Sequence, residues 1–269
     1  MSKLENLNYN EELREIKIEK NLRDAIIKEE LELYYQPQID ISTGKICSME
    51  ALVRWNSKEL GIIPPSEFIK IAEKTGLINE MGEWILLTAC KQNKIWKEKG
   101  YNYNYMAVNI SAIQLEKEDF VTQIKNALDN SKLRPENLEL EITENILMDS
   151  LKCNIETLKK LKKMGVRIAL DDFGKGYSSL NYLRILPMDT LKIDKCFIDN
   201  ICYNENEKAI IKCIIELATI LNLDVVAEGV EYRQQLDVLK NLNCFKIQGY
   251  YFSKPLKKDD MEAMLDKLK

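Results

Sequence analysis

Short apolar segments alternate with amphipathic segments along most of this 269-residue chain, and this alternation restricts its fold more than any other feature. Eight segments have the length and pattern of β-strands: 31–39, 46–55, 105–111, 138–143, 166–172, 190–194, 223–230 and 245–252. Eight others carry apolar residues at helical spacing: 66–75, 80–99, 119–131, 151–164, 176–185, 205–222, 232–242 and 257–268. Strands that alternate with helices form parallel sheets, so this order predicts a single α/β domain folded as a (β/α)8 barrel.

A doubly wound open sheet is the alternative arrangement for such a chain. That fold binds its ligand through a glycine-rich loop after the first strand, and the G-x-G-x-x-G pattern is absent from this sequence. The segment before the first strand predicts a leading helix that packs on the body of the domain. Its apolar stripe consists of Leu13, Ile16, Leu22 and Ile26. We therefore divide the chain into a leader that starts this helix, 1–20, and one domain, 21–269.

Polar residues interrupt or end the predicted strands. They are Glu50, Asn109, Glu141, Asp171, Asp172, Lys192, Asp194, Glu228 and Gln248. Each lies at or near the carboxyl end of its strand, and in a barrel these ends meet on one face, where such enzymes carry their chemistry. Taken singly, each could be a loop residue or a helix cap. Together they predict one polar site, because several carboxylates buried side by side need cations to offset their repulsion.

The absence of histidine narrows the chemistry of that site. It excludes histidine-based catalytic triads and histidine-bound metals. Any metal must be held by oxygen ligands, which favours Mg²⁺ or Mn²⁺. A group of acidic side chains of this kind is what a two-metal phosphoester site needs.

Charge and cysteine content exclude several other classes of protein. The 39 basic and 43 acidic residues give a net charge of −4 that is mixed along the chain, so we expect no nucleic-acid polymer as a partner. Seven scattered cysteines without a C-x-x-C pair predict free thiols in a reducing compartment. The charged N-terminus is unlike a signal peptide, and no apolar run approaches about 18 residues. We therefore expect no membrane segment and a cytoplasmic location.

Nine motifs distributed over most of the chain resemble those of one known family. They are YQPQ (35–38), EALVRW (50–55), PPSEFI (64–69), VNIS (108–111), LEITE (140–144), DDFGKGYSSL (171–180), LKID (191–194), AEGVE (227–231) and QGYYFSKPL (248–256). Over 20–260 the chain is similar to the EAL domains, which carry the signature Glu-Ala-Leu found here at 50–52 and which hydrolyse cyclic di-GMP. The resemblance implies a TIM-like barrel whose first strand runs antiparallel to the others.

The resemblance also implies a set of metal ligands. One Mg²⁺ or Mn²⁺ ion would be bound by Glu50, Asn109, Glu141 and Asp171. A second ion would be bound by Asp171, as a bridging ligand, with Asp172 and Glu228. Two such ions about 3.5–4 Å apart polarise a phosphate and supply a bound hydroxide near neutral pH.

Further residues are implied to act on the substrate. The catalytic residues would be Lys192, Glu50, Asp194 and Gln248. Lys192 would orient or deprotonate the attacking water, or stabilise charge on the phosphoryl oxygens. The substrate-binding residues would be Gln36, Arg54 and Gln248, of which Arg54 would hold a phosphate through its planar donor fork.

The resemblance assigns a regulatory role to the loop 172–179, which would couple metal binding to contacts within a homodimer. Glu144 would anchor this loop. The loop departs from the family pattern at Lys175, where relatives carry a small residue. The flanking Gly174 and Gly176 leave room to turn the lysine outward.

We therefore predict a metal-dependent phosphodiesterase that opens cyclic di-GMP to linear 5′-pGpG. One alternative is a catalytically silent EAL-type barrel that binds cyclic di-GMP or docks another protein. Another is a two-metal hydrolase that acts on a different dinucleotide, because barrels host many unrelated reactions.

Overall fold

The computed structural model describes residues 3–144, 146, 151–174 and 183–267. Nine strands form one sheet: β1 Leu31–Asp40, β2 Lys45–Ser57, β3 Gly61–Ile63, β4 Met106–Asn109, β5 Leu138–Thr143, β6 Arg167–Phe173, β7 Thr190–Ile193, β8 Asp224–Ala227 and β9 Lys246–Ile247. Eight of these strands close into a ring in the order β1-β2-β4-β5-β6-β7-β8-β9, and β3 pairs with the outer part of β2. The predicted (β/α)8 barrel is therefore confirmed.

The first strand runs against the rest of the ring, as the resemblance implied. β1 pairs antiparallel with both β2 and β9, whereas the other pairs of the ring are parallel. A turn of four residues, 41–44, joins β1 to β2, and such a short connection can link antiparallel strands but not parallel ones. Gly44 ends this turn with a φ of +72°, and Asp40 accepts a hydrogen bond from the backbone N–H of Ser42.

The described ranges contain ten α-helices around the barrel: α1 Lys3–Ala25, α2 Pro65–Thr75, α3 Ile78–Glu98, α4 Ala112–Leu115, α5 Phe120–Ser131, α6 Leu151–Lys163, α7 Lys195–Ile198, α8 Glu205–Ile220, α9 Arg233–Asn241 and α10 Lys258–Lys267. Seven match predicted helices within a few residues. The predicted helix 176–185 falls mainly outside the described residues. Short α4 and α7 follow directly after strands and were not predicted. Across the described ranges, none of the helices combines the length and the apolar character needed to cross a bilayer.

Three strands are shorter than the sequence pattern suggested. β4, β8 and β9 end at Asn109, Ala227 and Ile247, and the residues that follow them form loops on the rim of the barrel. The loop after β8 turns at Gly229, whose φ is +69°. Gly249, in the loop after β9, lies so close to the backbone of Val230 that a Cβ atom there would clash with it. These loops bring polar residues toward the barrel opening.

The leading helix packs on the domain through only part of the predicted stripe, namely the buried Leu22 and the partly buried Ile26. Ile18, Leu22 and Ala25 are buried, whereas Leu13 and Ile16 of the predicted stripe are 39% and 61% exposed. The C-terminal half of α1 packs on α2 and β2, and the earlier turns are held to α2 by ion pairs between exposed side chains instead. α1 continues without a break through residue 20, while the division at 20 and 21 stays a prediction.

Leu22→Ala should lower the free energy of unfolding by about 2 kcal/mol or more, because it removes a buried side chain that anchors α1. The matched substitution Ile16→Ala, on the exposed face of the same helix, should change it by less than about 0.5 kcal/mol. Urea denaturation followed by circular dichroism measures both. Equal losses for the two variants would show that Ile16 packs against the domain as closely as Leu22 does.

Candidate active site

The register of the ring brings the predicted polar residues to one end of the barrel. Gln36 on β1 lies opposite Glu50 on β2, and Asn109 at the end of β4 lies beside Glu141 on β5. Asp171 on β6 pairs with Thr143, one step further along the same rim. The carboxyl ends of parallel strands face the same way, so the side chains of these strands meet across the opening.

Lys192 on β7 stands at the centre of this group. Its side chain is 1% exposed. The ammonium nitrogen lies 2.7 Å from a carboxylate oxygen of Glu141 and 2.7 Å from one of Glu228. It lies 3.4 Å from Asp171 and 3.6 Å from Glu50. Sequence alone allowed a surface position for this lysine, and the structure places it where four acidic side chains converge.

Four carboxyl groups around one ammonium leave the site with excess negative charge. Burial raises the pKa of Glu228 to about 8, and it also raises the pKa of Asp171. The pKa of Glu141 lies well above its ordinary value because of burial and the neighbouring charge of Glu50. Burial also disfavours the charged form of Lys192, but the surrounding acids outweigh it and raise the pKa of the ammonium. The site is built to hold more positive charge than Lys192 provides.

Glu50 is oriented by two amide side chains. Asn109 donates to one of its oxygens at 2.6 Å and Gln248 donates to the other at 2.6 Å. Burial disfavours the ionised form of Glu50, but Lys192 and these two donors together hold its pKa below the ordinary value. Gln248 is itself held by Gln38, which donates to it at 2.9 Å. Glu50 therefore stays an oriented acceptor.

A cavity of about 300 Å³ opens above the acidic group. Gln36, Glu50, Asp171, Lys192 and Glu228 form its floor, together with Gln248. The side chain of Gln36 donates to the carbonyl of Ser253 at 3.2 Å, which fixes it at the edge of this floor. An ion pair between Lys195 and Glu231 lines the wall. The carboxylates therefore border a cavity on the rim of the barrel.

The two aspartates implied to complete the site differ in their surroundings. Asp172 is half-buried and adopts a left-handed backbone with a φ of +55°, where the register between β6 and β7 shifts. Its negative charge is felt by Asp171, whose pKa it raises further. Asp194 is buried and caps α7 by accepting a hydrogen bond from the N–H of Cys196 at 2.9 Å. Asp194 thus forms the helix cap that was one of the two single-residue interpretations of the sequence.

Arg54 lies on the other side of Leu52, in a second cavity of about 250 Å³. Its guanidinium donates to the carbonyl of Val53 at 2.8 Å and lies 5.7 Å from the centre of the Tyr34 ring. Leu52 lines both cavities. The arginine is therefore next to the acidic site without touching Lys192.

Glu144 is buried at the end of β5, and its carboxylate accepts a long contact of 3.5 Å from the N–H of Gly174. Gly174 has a φ of +97° and packs against the Phe197 ring, so a side chain there would clash. These contacts lie at the start of the loop that follows Asp172, and the anchoring role of Glu144 stays a prediction. Residues 175–182, including Lys175, lie outside the described residues, as do Asp149 and Ser150 before α6.

The donor set fits divalent cations in its chemistry and its charge. No amide or hydroxyl donor of the described ranges reaches either carboxylate oxygen of Glu141 or the Oδ1 atom of Asp171. Buried oxygens of this kind are the ligands that Mg²⁺ and Mn²⁺ prefer. Within residues 3–144, 146, 151–174 and 183–267, the acids converge on the Lys192 ammonium, and no three of them surround a separate metal-sized position.

Sequence reasoning missed several residues that support the site. Gln38 and Ser48 are buried beneath it, and the Ser48 hydroxyl donates to Gln38, which in turn orients Gln248. Lys195 and Glu231 were missed because a charged residue after a strand is ordinarily exposed. Gln38 could have been found, since it lies two residues after Gln36 and so points to the same side of β1.

Comparison with known proteins agrees with this geometry. A family model described as the EAL domain matches residues 19–255. The chain is 40% identical over 243 residues to the bifunctional diguanylate cyclase/cyclic di-GMP phosphodiesterase MucR of Pseudomonas aeruginosa. The match covers 90% of this chain and 36% of that protein. It is 40% identical over 252 residues to the cyclic di-GMP phosphodiesterase NbdA of the same organism, covering 94% of this chain and 32% of that protein.

A solved structure of the PaMucR phosphodiesterase in complex with c-di-GMP is also similar. It has a TM-score of 0.88 and 40% sequence identity, and the match covers 91% of this chain and 99% of that one. The chain spans about a third of the length of the curated relatives it matches. A family match over most of the chain, on a barrel with this ring of acids, leads to one conclusion: the chain belongs to the EAL domain family.

Proposed function

We propose that this chain is a divalent-metal-dependent phosphodiesterase that hydrolyses cyclic di-GMP to linear 5′-pGpG. The observation that carries the proposal is the convergence of four carboxyl groups on Lys192 at the open end of the barrel. The names of two relatives support the substrate, since MucR and NbdA are both called cyclic di-GMP phosphodiesterases. In the reaction, water adds to one phosphorus, the P–O3′ bond breaks, and the 3′ oxygen takes up a proton.

The acidic residues would hold two Mg²⁺ or Mn²⁺ ions. Glu50, Asn109, Glu141 and Asp171 would bind one ion, and Asp171, Asp172 and Glu228 would bind the other. When bound, such a pair polarises the phosphate and lowers the pKa of a coordinated water. The complete set of oxygen ligands and the excess negative charge support this assignment.

Protein side chains would supply the rest of the catalysis. The Lys192 ammonium would orient the attacking water or stabilise charge on the phosphoryl oxygens, because it lies at the floor of the cavity with no competing solvent. Asp194 would act beside Lys192, and the hydrogen bond with which it caps α7 would hold it in place. Gln36 on β1 and Gln248 in the loop after β9 would contact the substrate. Arg54 would bind a phosphate oxygen pair with its donor fork.

Purified protein incubated with cyclic di-GMP and Mg²⁺ or Mn²⁺ should release pGpG, which anion-exchange chromatography resolves from the substrate. EDTA should reduce the rate to the level of a sample without protein, and added metal should restore it, because the acids alone cannot polarise the phosphate. Calorimetry on the same samples separates binding from turnover.

Tight binding without product in either metal would contradict the proposal and favour a receptor. Faster turnover of another dinucleotide, compared by kcat/KM, would favour a hydrolase of different specificity. The homodimer and the cytoplasmic location stay predictions, and light scattering of the purified protein measures the first of them.

A further inference from the structure

Gln38 on β1 carries an amide side chain in the interior of the barrel, and its exposed fraction is 0%. It lies on the same side of β1 as Gln36 and directly opposite Ser48 on β2. Branched apolar side chains fill most barrel interiors, and a buried amide lowers stability unless its polar atoms are hydrogen-bonded. The carbonyl oxygen of Gln38 accepts from the Ser48 hydroxyl at 2.5 Å, and its amino group donates to the carbonyl oxygen of Gln248 at 2.9 Å. Both ends of this buried amide are therefore engaged, and one of them reaches the candidate active site.

Gln248 extends this contact to the rim of the barrel. Its amino group donates to Glu50 at 2.6 Å and to the carbonyl oxygen of Gln36 at 3.3 Å. The amino group of Gln36 then donates to the backbone carbonyl of Ser253 at 3.2 Å. A continuous series of hydrogen bonds thus runs outward through three glutamines, which we call the amide chain: Gln38, Gln248 and Gln36.

The acceptors at the outer end of the amide chain fix its direction. A carboxylate such as Glu50 and a backbone carbonyl such as that of Ser253 only accept hydrogen bonds, so amino groups must face them. If the Gln248 amide were reversed, its carbonyl oxygen would face the Glu50 carboxylate and its amino group would face that of Gln38. Two like groups would then meet at each end of a buried amide, which is costly in a barrel interior. The amino group of Gln38 therefore stabilises the orientation of Gln248 in which a donor meets Glu50.

We propose that Gln38 is a positioning residue for the reaction, which donates to Gln248 and thereby keeps the Gln248 amino group turned toward Glu50. Gln36 is held indirectly, since its carbonyl oxygen accepts from the same amino group. The inference rests on the proposed function, which assigns Glu50 to a metal ion and the two outer glutamines to the substrate. The effect of Gln38 is transmitted by Gln248, because the Gln38 amino group is directed at that residue.

A double-mutant cycle in kcat/KM for cyclic di-GMP tests this transmission. Gln38→Met fills a similar space without a donor and should lower kcat/KM by about tenfold, the effect expected for one hydrogen bond. In a Gln248→Met background the same substitution should change kcat/KM by less than about twofold, because the residue through which Gln38 acts is absent. A role in packing alone would give equal factors in both backgrounds. If Gln38→Met does not fold, Gln38→Asn, whose amide is too short to reach Gln248, takes its place in the cycle.

The side-chain amide signal of Gln248 tests the orientation without metal or substrate. Protein labelled with nitrogen-15 glutamine is studied by NMR in EDTA, and the Gln248 signal is the one missing from Gln248→Met. In Gln38→Met this signal should shift toward that of a solvent-exposed glutamine and exchange faster with water, because the amino group no longer stays on Glu50. The matched control is Gln123→Met on α5, which removes a partly exposed amide that donates to Asp119 at 3.0 Å. It should change neither the Gln248 signal nor kcat/KM.

An unchanged Gln248 signal in folded Gln38→Met, or equal losses of kcat/KM in the two backgrounds, would overturn the inference and leave the proposed function intact. The proposed function fails in a different way, with no pGpG from wild type. In that case the NMR comparison decides alone: a shifted signal supports positioning by Gln38, and an unchanged signal overturns it.

Discussion

Replacing Glu50 by alanine is expected to lower kcat for cyclic di-GMP by at least about 100-fold, the loss usual for one preorganised electrostatic contact in an active site. Glu50 is the acid with the most fully determined orientation, since Asn109 and Gln248 each donate to it at 2.6 Å. The alanine variant removes a proposed metal ligand and leaves these two amides without their acceptor. The assay is the rate of pGpG release with saturating Mg²⁺ or Mn²⁺.

The same variant should remain folded, which separates loss of activity from loss of structure. Four carboxylates and one ammonium carry a formal charge of −3, and removal of Glu50 reduces it to −2. Less repulsion in the barrel opening offsets the lost hydrogen bonds. Glu32→Ala, on neighbouring β1 with its acid half exposed and paired to Lys257, is the matched control and should retain wild-type activity. Turnover by Glu50→Ala within tenfold of wild type would contradict the assigned role.

The ring of strands could be predicted because its signal is local. Each strand is a short apolar run, and a polar residue such as Glu141 within LELEIT stands out against its neighbours. Placing those residues on one rim needs only the rule that parallel strands of a barrel end on the same face. The antiparallel direction of β1 was implied by the resemblance alone, although the four residues between β1 and β2 are themselves too few for a parallel crossover.

Other features depend on packing that no short segment contains. Ile16 and Ile18 are both apolar residues of α1. The position of α2 determines that Ile18 is buried and Ile16 is exposed. The burial of Lys192 depends on four acids that come from three other strands and from the loop after β8. The short helices α4 and α7 span one turn each, which is too short for apolar residues to show a helical period in the sequence.

The charge balance of the site connects its stability to its chemistry. Without cations, burial and the neighbouring acids favour the neutral forms of Glu141 and Glu228, as the upward direction of both pKa values indicates. Lys192 is the positive charge that the chain itself supplies to these acids. A substitution at this lysine therefore probes the fold and the reaction together, and the two effects differ in their dependence on metal.

Lys192→Met should lower the free energy of unfolding in EDTA by about 3–5 kcal/mol, the usual result of removing one partner from a buried ion pair. Methionine keeps the length and the apolar stem of the side chain, so the loss reports the charge that Glu141 and Glu228 meet at 2.7 Å. With Mg²⁺ or Mn²⁺ present, the stability difference from wild type should shrink, because bound cations neutralise the same acids, while pGpG release should stay at least about 100-fold below wild type. Lys74→Met, whose side chain is 73% exposed on α2, should change neither stability nor turnover measurably. Urea denaturation with and without metal, beside the product assay, measures all four values; a Lys192→Met protein as stable in EDTA as wild type would show that the ammonium does not hold the acidic strand ends together.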